Sequence, residues 1–154
     1  MKNIVLYDEK EVRDNLLPLT YTRPVSHIRV GINTISEKWQ RAFGGDVNIS
    51  YITPEYLSNK FPTKATRDNL FIASHILPTR QLADLIAELN MGEALCYNDA
   101  ASGKKSVIAF RCSKDDYRKR NITPSVVVDF CPDQISLWQN MVIFLVQRLL
   151  WFCR

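Results

Sequence analysis

Between Leu16 and Gly31 the chain reads LLPLTYTRPVSHIRVG, and Thr20, Thr22, Arg23 and Arg29 are the side chains in it suited to one task. A guanidinium presents a rigid fork of donors that matches phosphate oxygens, and it stays charged at any working pH. Threonine hydroxyls supply further donors, and the stretch carries no carboxylate. Pro18 and Pro24 prevent it from forming one continuous helix. At Gly31 the pattern turns helical, and a helix N-terminus would add unpaired amides and a positive dipole end. Arg23 is thus the candidate catalytic cation, with Thr20, Thr22, Arg29 and Gly31 as the candidate phosphate-binding set. Each charge-assisted hydrogen bond of this kind contributes about 1.5–3 kcal/mol, so a few suffice for micromolar binding. The competing reading pairs Arg23 and Arg29 with Asp8, Glu9, Glu11 or Asp14 nearby.

The elements that must position this loop are readable on either side. Ile4-Val5-Leu6-Tyr7 is short, apolar and followed at once by charges, as a buried parallel strand ending at a functional edge would be. Ile32, Ile35, Trp39 and Phe43 recur at helical spacing until Gly44-Gly45 stops them. Val47–Ile52 alternates like a strand, and Thr53-Pro54 reads as a hydroxyl N-cap with proline at the first helical position. Leu70–Ala73 is a third apolar strand. Thr79 is an N-cap for a helix striped by Leu82, Leu85, Ile86 and Leu89. Glu93–Tyr97 and Ser106–Phe110 flank a turn-forming segment and predict a β-hairpin. Ser113–Arg120 is charged and surface-like, Val126–Val128 is a further strand, and helical character returns from Asp133. Strands alternating with helices predict βαβ units and a three-layer α/β sandwich, with the hairpin as an antiparallel addition.

Composition narrows the function classes. The 154 residues suit one domain; 46% are hydrophobic and 23% charged, values usual for a globular chain. A net charge of +4 mildly favours anionic small molecules and falls well short of a nucleic-acid-binding signature. The basic run Lys114–Arg120 contains Asp115 and Asp116 and has only Tyr117 as an aromatic, so it reads as a solvated surface. Cys96, Cys112, Cys131 and Cys153 form no Cys-x-x-Cys pair and have no histidine near them, which argues against zinc. With no secretory signal in the sequence, they read as reduced thiols in a cytoplasmic protein.

Three segments together resemble a known family. Ile4-Val5-Leu6-Tyr7-Asp8, Leu16-Leu17-Pro18-Leu19-Thr20-x-Thr22-Arg23-Pro24 and Ile28-Arg29-Val30-Gly31-Ile32-x-Thr34-Ile35-x-Glu37-Lys38-Trp39 are similar to the start of a bacterial sugar nucleotidyltransferase family. Its members are the alternative, Bacteroidetes-type relatives of the bifunctional N-acetylglucosamine-1-phosphate uridyltransferase/glucosamine-1-phosphate acetyltransferase. Leu70–Pro78 resembles a second family segment, in which Asn-Gly-Arg usually replaces Ala73-Ser74-His75. Gly92–Leu95 and Ile108–Arg111 fit a third. The resemblance covers about residues 1–140 and implies a Rossmann-like nucleotidyltransferase sandwich with a mostly parallel sheet. It also implies a reaction between a sugar 1-phosphate and a nucleoside triphosphate, assisted by Mg²⁺, that supplies nucleotide-sugars for the cell envelope. Arg23 would stand where larger nucleotidyltransferases place a basic residue beside a proline. The chain departs from them in having Asp8-Glu9-Lys10 after the first strand rather than a glycine-rich loop. It also lacks the left-handed β-helix half of hexapeptide repeats.

The remaining candidates are weaker. Mg²⁺ usually needs one or two carboxylates beside the substrate phosphates; Asp8 and Asp99 are the candidates, though each reads more readily as a solvated loop carboxylate or a turn-former. His27 and His75 are isolated from evident partners. The tail, Met141–Arg154, is nearly all apolar but too short for a membrane span, which takes about twenty such residues. Three readings of it stand: a buried terminal helix, a patch for self-association through Met141–Phe152, and a truncated or frame-shifted ending after a 1–140 domain. The last leaves a non-enzymatic nucleotide-binding or partner-binding domain as the alternative to catalysis.

Overall fold

The computed structural model describes residues 2–98 and 105–119. Asp99, the expected strand at Val126–Val128, the helical stretch from Asp133, the boundary at 140 and the tail 141–154 lie outside the described residues. In chain order the elements are β1 (Lys2–Tyr7), α1 (Lys10–Asn15), a 3-10 turn (Val25–His27), β2 (Arg29–Val30), β3 (Asn33–Thr34), α2 (Ile35–Ala42) and β4 (Val47–Ile52). They continue as α3 (Glu55–Ser58), β5 (Asn69–Ala73), α4 (Arg80–Glu88), β6 (Ala94–Asn98), β7 (Lys105–Cys112) and α5 (Lys114–Lys119).

Five strands form one sheet in the order β4-β1-β5-β7-β6. β1 lies parallel to both β4 and β5, while β7 runs antiparallel to β5 and to β6. The apolar runs dictate this arrangement. Ile4, Val5 and Leu6 have no exposed surface, and neither do Phe71, Ile72 and Ala73, so β1 and β5 are covered on both faces. Alternation assigns the faces. Tyr51, Leu6 and Ile72 share a register row and one face, and there Ser36 of α2 hydrogen-bonds the Tyr51 hydroxyl at 3.0 Å. The Trp39 indole N–H from the same helix donates to the Ile76 carbonyl at 2.9 Å. Phe71 faces the other way, stacked on Phe110 at 4.6 Å and on Tyr117 of α5 at 5.4 Å. Helices on both faces of a mostly parallel sheet make the expected three-layer, Rossmann-like α/β sandwich, and β6–β7 is the predicted hairpin.

Four local expectations are corrected. The helix expected from Gly31 starts at Ile35, because Thr34 and Glu37 form a capping box: Glu37 N–H donates to Thr34 Oγ1 at 3.1 Å, and Thr34 N–H to the Glu37 carboxylate at 2.7 Å. Ile32, counted in that helix's apolar stripe, is 86% exposed in the turn between β2 and β3. Thr53 does not cap α3; Pro54 holds the N-cap position, without a side-chain bond, and the Thr53 hydroxyl is buried. The thiol expectation holds for Cys112, a buried thiol, but not for Cys96, which is in a disulfide. Thr79, by contrast, caps α4 as expected, accepting from Leu82 N–H at 3.2 Å.

The stacked ring trio makes a testable claim. Phe71→Ala removes the middle ring and should lower unfolding stability by about 3–5 kcal/mol. Ile32→Ser, on the exposed turn, should stay within about 0.5 kcal/mol of the parent. Urea midpoints at constant m-value measure both.

Candidate functional site

The site is built on the carboxyl-terminal edge of the parallel strands. Ile52, Tyr7 and Ala73 lie side by side in register, and pairing runs one step further: Asp8 N–H donates to the Ile52 carbonyl at 3.1 Å and Ser74 N–H to the Tyr7 carbonyl at 2.9 Å. This places Thr53, Asp8 and Ser74 in the next row. β4 and β5 flank β1 on opposite sides, which makes this edge the crevice where open α/β sheets bind ligands.

Asp8 is 2% exposed, and its partner is Arg13 of α1, also buried. The guanidinium Nη1 donates to the carboxylate at 3.2 Å and reaches the Arg23 carbonyl at 3.4 Å. Its Nη2 donates to the Thr20 carbonyl and the Tyr56 hydroxyl. That hydroxyl donates in turn to the Tyr21 carbonyl at 3.0 Å, and the Asp8 carboxylate also accepts from Val25 N–H at 3.2 and 3.3 Å. One ion pair therefore holds the backbone of Thr20, Arg23 and Val25 directly and that of Tyr21 through Tyr56. Burial raises the carboxyl pKa of Asp8, while the Ser74 hydroxyl beside it, Val25 N–H and Arg13 act in the opposite direction. The Ser74 hydroxyl nonetheless closes no good hydrogen bond of its own.

The candidate residues separate on this frame. Thr22 and Arg23 are exposed on the outside of the clamped loop, with no ion pair or side-chain hydrogen bond of Arg23 among the described residues. Thr20 is fully buried, and its hydroxyl donates to the Arg13 carbonyl at 2.8 Å, so it faces the scaffold. Arg29 is exposed but donates to the Ile32 carbonyl at 2.6 Å, closing its own short hairpin. Gly31, at φ +76°, is the left-handed turn residue of that hairpin and not the start of a helix. At the N-terminus of α2 the Glu37 amide is taken by Thr34 and the Ile35 amide by the Ile28 carbonyl. The Thr34 backbone N–H and then its hydroxyl hold the Glu37 carboxyl below the usual carboxylate range, with smaller help from Arg29 and Arg41.

The competing ion-pair reading named other cations: Asp8 is paired with Arg13, and among the described residues neither Arg23 nor Arg29 forms an ion pair. Spacing alone does not single out Arg13 among the charges of LysGluValArgAsp at 10–14, and sequence reasoning missed it. It also missed Tyr56. Among the described residues no group of three His, Cys, Asp or Glu side chains is placed to hold a metal ion. Asp8, with Arg13 and Val25 on its oxygens, does not fit the role of an open Mg²⁺ ligand. Nor is any described helix long and apolar enough to cross a membrane.

Two histidines line the same edge. His27 packs edge-on against Tyr51 and Phe61, with ring centroids 5.0 and 4.9 Å away, and burial first, then Arg23, lowers its pKa. Burial alone pushes His75 down to about 4. Both imidazoles are therefore neutral at pH 7.

Two outcomes follow from this frame. Arg13→Ala leaves a buried carboxylate without its cation and should cost about 3–5 kcal/mol of stability in chemical denaturation. His75 binds its proton more weakly folded than unfolded, so it destabilises the fold as pH falls from about 6.5 towards 4, by up to about 3 kcal/mol. In urea titrations from pH 7 to pH 4, His75→Asn should flatten that loss.

Comparison with known proteins agrees with the strand-edge geometry. No curated protein and no solved structure matches the chain. The sequence profile described as sugar nucleotidyl transferase matches residues 4–143, a span that takes in β1 from Ile4 onward, the clamped loop and every later described element. With its profile covering most of the chain and its loop held at the strand edge where an α/β sheet receives a nucleotide, the chain belongs to the sugar nucleotidyl transferase family.

Proposed function

We propose that the chain transfers a nucleotidyl group from a nucleoside triphosphate to a sugar 1-phosphate, as a cytoplasmic step in nucleotide-sugar supply. The observation that carries this reading is the loop itself. Its backbone is fixed from behind by Asp8 and Arg13, while Thr22 and Arg23 project outward from it at the edge of β1. A phosphate oxygen of the sugar phosphate attacks the α-phosphorus. The new P–O bond forms as the α–β bridging bond breaks, and pyrophosphate leaves with the electron pair. Such transfers need little covalent help from the protein and depend on positioning and on neutralising phosphate oxygens. Arg23 does the neutralising and Thr22 donates a hydrogen bond. Thr20 acts behind them as a positioning residue. Arg29, six residues further on beside the Gly31 turn, is a second exposed cation. Mg²⁺ is assigned to the incoming triphosphate and not to Asp8, whose oxygens are already engaged.

One observation favours a second reading. With Asp8 committed to Arg13 and no carboxylate cluster among the described residues, the domain would bind nucleotide without turning it over.

Pyrophosphate release from UTP, Mg²⁺ and N-acetylglucosamine 1-phosphate, then from other triphosphate and sugar-phosphate pairs, separates the two. Turnover is expected, and Arg23→Ala should cut kcat by about 10²–10³, the usual loss for one charge-stabilising donor. Its fold should be unchanged, since the side chain is exposed. Triphosphate binding without pyrophosphate from any pair would leave the non-catalytic reading; absence of binding would remove both.

A further inference from the structure

The clamp on the loop is uneven along its length. At Thr20 and Val25 the ties are buried. The Thr20 carbonyl accepts from Arg13 Nη2, its hydroxyl donates to the Arg13 carbonyl at 2.8 Å, and Val25 N–H donates to Asp8 at 3.2 Å. Tyr21, Thr22 and Arg23, which lie between, are exposed. Arg13 reaches the Arg23 carbonyl only at 3.4 Å, beyond the usual range for an N–H donor. The Tyr21 carbonyl accepts from one described donor, the Tyr56 hydroxyl, at 3.0 Å. That hydroxyl accepts in turn from Arg13 Nη2. Tyr56 comes from α3, 35 residues further along the chain, so the middle of the loop is tied to a different element from its two ends.

We infer that Tyr56 is a positioning residue for Arg23, a latch that holds the Tyr21–Arg23 limb of the loop in the conformation that receives an anion. The ring and the hydroxyl of Tyr56 have separate tasks. The ring lies 5.6 Å from the Arg13 guanidinium carbon and 6.2 Å from the Tyr21 ring, contacts that need no hydroxyl. The hydroxyl alone carries the hold of Arg13 to Tyr21. Tyr56 is 59% exposed and Tyr21 66%. A side chain with that much surface in water can swing out without unpacking the core, and water then satisfies the Tyr21 carbonyl. The ties at Thr20 and Val25 are buried and cannot open in this way. The latch therefore governs the limb alone, and its closed state removes an ordering cost that an incoming anion would otherwise meet.

This inference rests on the proposed function in taking Arg23 as the phosphate contact, while the motion of the limb is read without any ligand. Tyr56→Phe deletes the hydroxyl and keeps the ring, so its urea midpoint should match the parent's. NMR relaxation of the backbone amides should show order parameters at Thr22 and Arg23 falling from about 0.85 towards about 0.6, with Val25 unmoved. Calorimetry with inorganic tripolyphosphate then compares the parent, Tyr56→Phe, Arg23→Ala and the double variant. Tyr56→Phe should weaken binding about three- to tenfold, the worth of one hydrogen bond, where Arg23 is present, and have no effect where it is replaced. In turnover the loss should fall on KM for the triphosphate and leave kcat unchanged, because the guanidinium is still in place once the ligand has ordered the limb. Equal losses in both backgrounds, unchanged affinity with Arg23 present, or a limb as rigid as the parent's would overturn the assignment. So would loosening of Val25 together with the limb, which marks a general role in stability. If Arg23→Ala itself binds tripolyphosphate as the parent does, the phosphate role of Arg23 fails, and the relaxation result still decides whether Tyr56 latches the limb.

Discussion

The buried pair of Asp8 and Arg13 is the interaction on which the rest of the site depends. Removing two ions from water costs several kcal/mol each, and their attraction offsets this only when the remaining donors and acceptors are also matched. Here they are matched by the loop. The guanidinium reaches the carbonyls of Thr20 and Arg23 and the Tyr56 hydroxyl, and the carboxylate accepts Val25 N–H. The segment from Leu16 to Gly31 has one 3-10 turn and a two-residue ladder as its regular structure, so many of its backbone groups need partners from elsewhere. The ion pair supplies them. Its contribution is a specified path for the loop more than net stability.

That path decides which side chains face outward. Thr20 turns in and bonds the Arg13 carbonyl, Tyr21, Thr22 and Arg23 turn out, and Pro24, Val25 and Ser26 turn in again. The exposed cation therefore stands on a fixed backbone, the arrangement phosphate recognition needs if binding energy is not to be spent on ordering the loop. The helix that follows contributes less than its position suggests. Its Glu37 amide is covered by the Thr34 hydroxyl and its Ile35 amide by the Ile28 carbonyl, and its dipole end already faces the Glu37 carboxylate. An incoming anion would compete with a negative charge there. Among the described residues the loop, and not the start of the helix, presents an exposed cation without an ion pair.

Much of this was legible in the sequence where the signal is local or periodic. The apolar runs of β1 and β5, the stripe and Thr79 cap of α4, and the β6–β7 hairpin follow from pattern alone, and with them the layered architecture. What was not legible involves choices among near-equivalent neighbours. Asp8, Glu9, Glu11 and Asp14 all lie near cations in the chain; burial at the end of β1 is what makes Asp8 the partner of Arg13, and burial is a tertiary outcome. Ile32 fits a helical stripe by spacing, yet the capping box opened by Thr34 starts the helix three residues later, without it. Thr53-Pro54 has the residue types of a cap, but the Thr53 hydroxyl is buried at the strand edge. Arg13 and Tyr56, 43 residues apart, meet only because α1 and α3 both border that edge.

The same pair also decides which charges the edge leaves available. A phosphate placed in the row of Thr53, Asp8 and Ser74 would lie beside a carboxylate already paired with Arg13, whose other donors are taken by two loop carbonyls and the Tyr56 hydroxyl. Arg23, by contrast, has no carboxylate bonded to its guanidinium among the described residues. Neutral imidazoles at His27 and His75 add no charge to either side. Under the proposed reading, a phosphate drawn to that guanidinium would meet it on a backbone already fixed, and Asp8 and Arg13 would act on binding without touching the ligand, by holding the loop from which Arg23 projects.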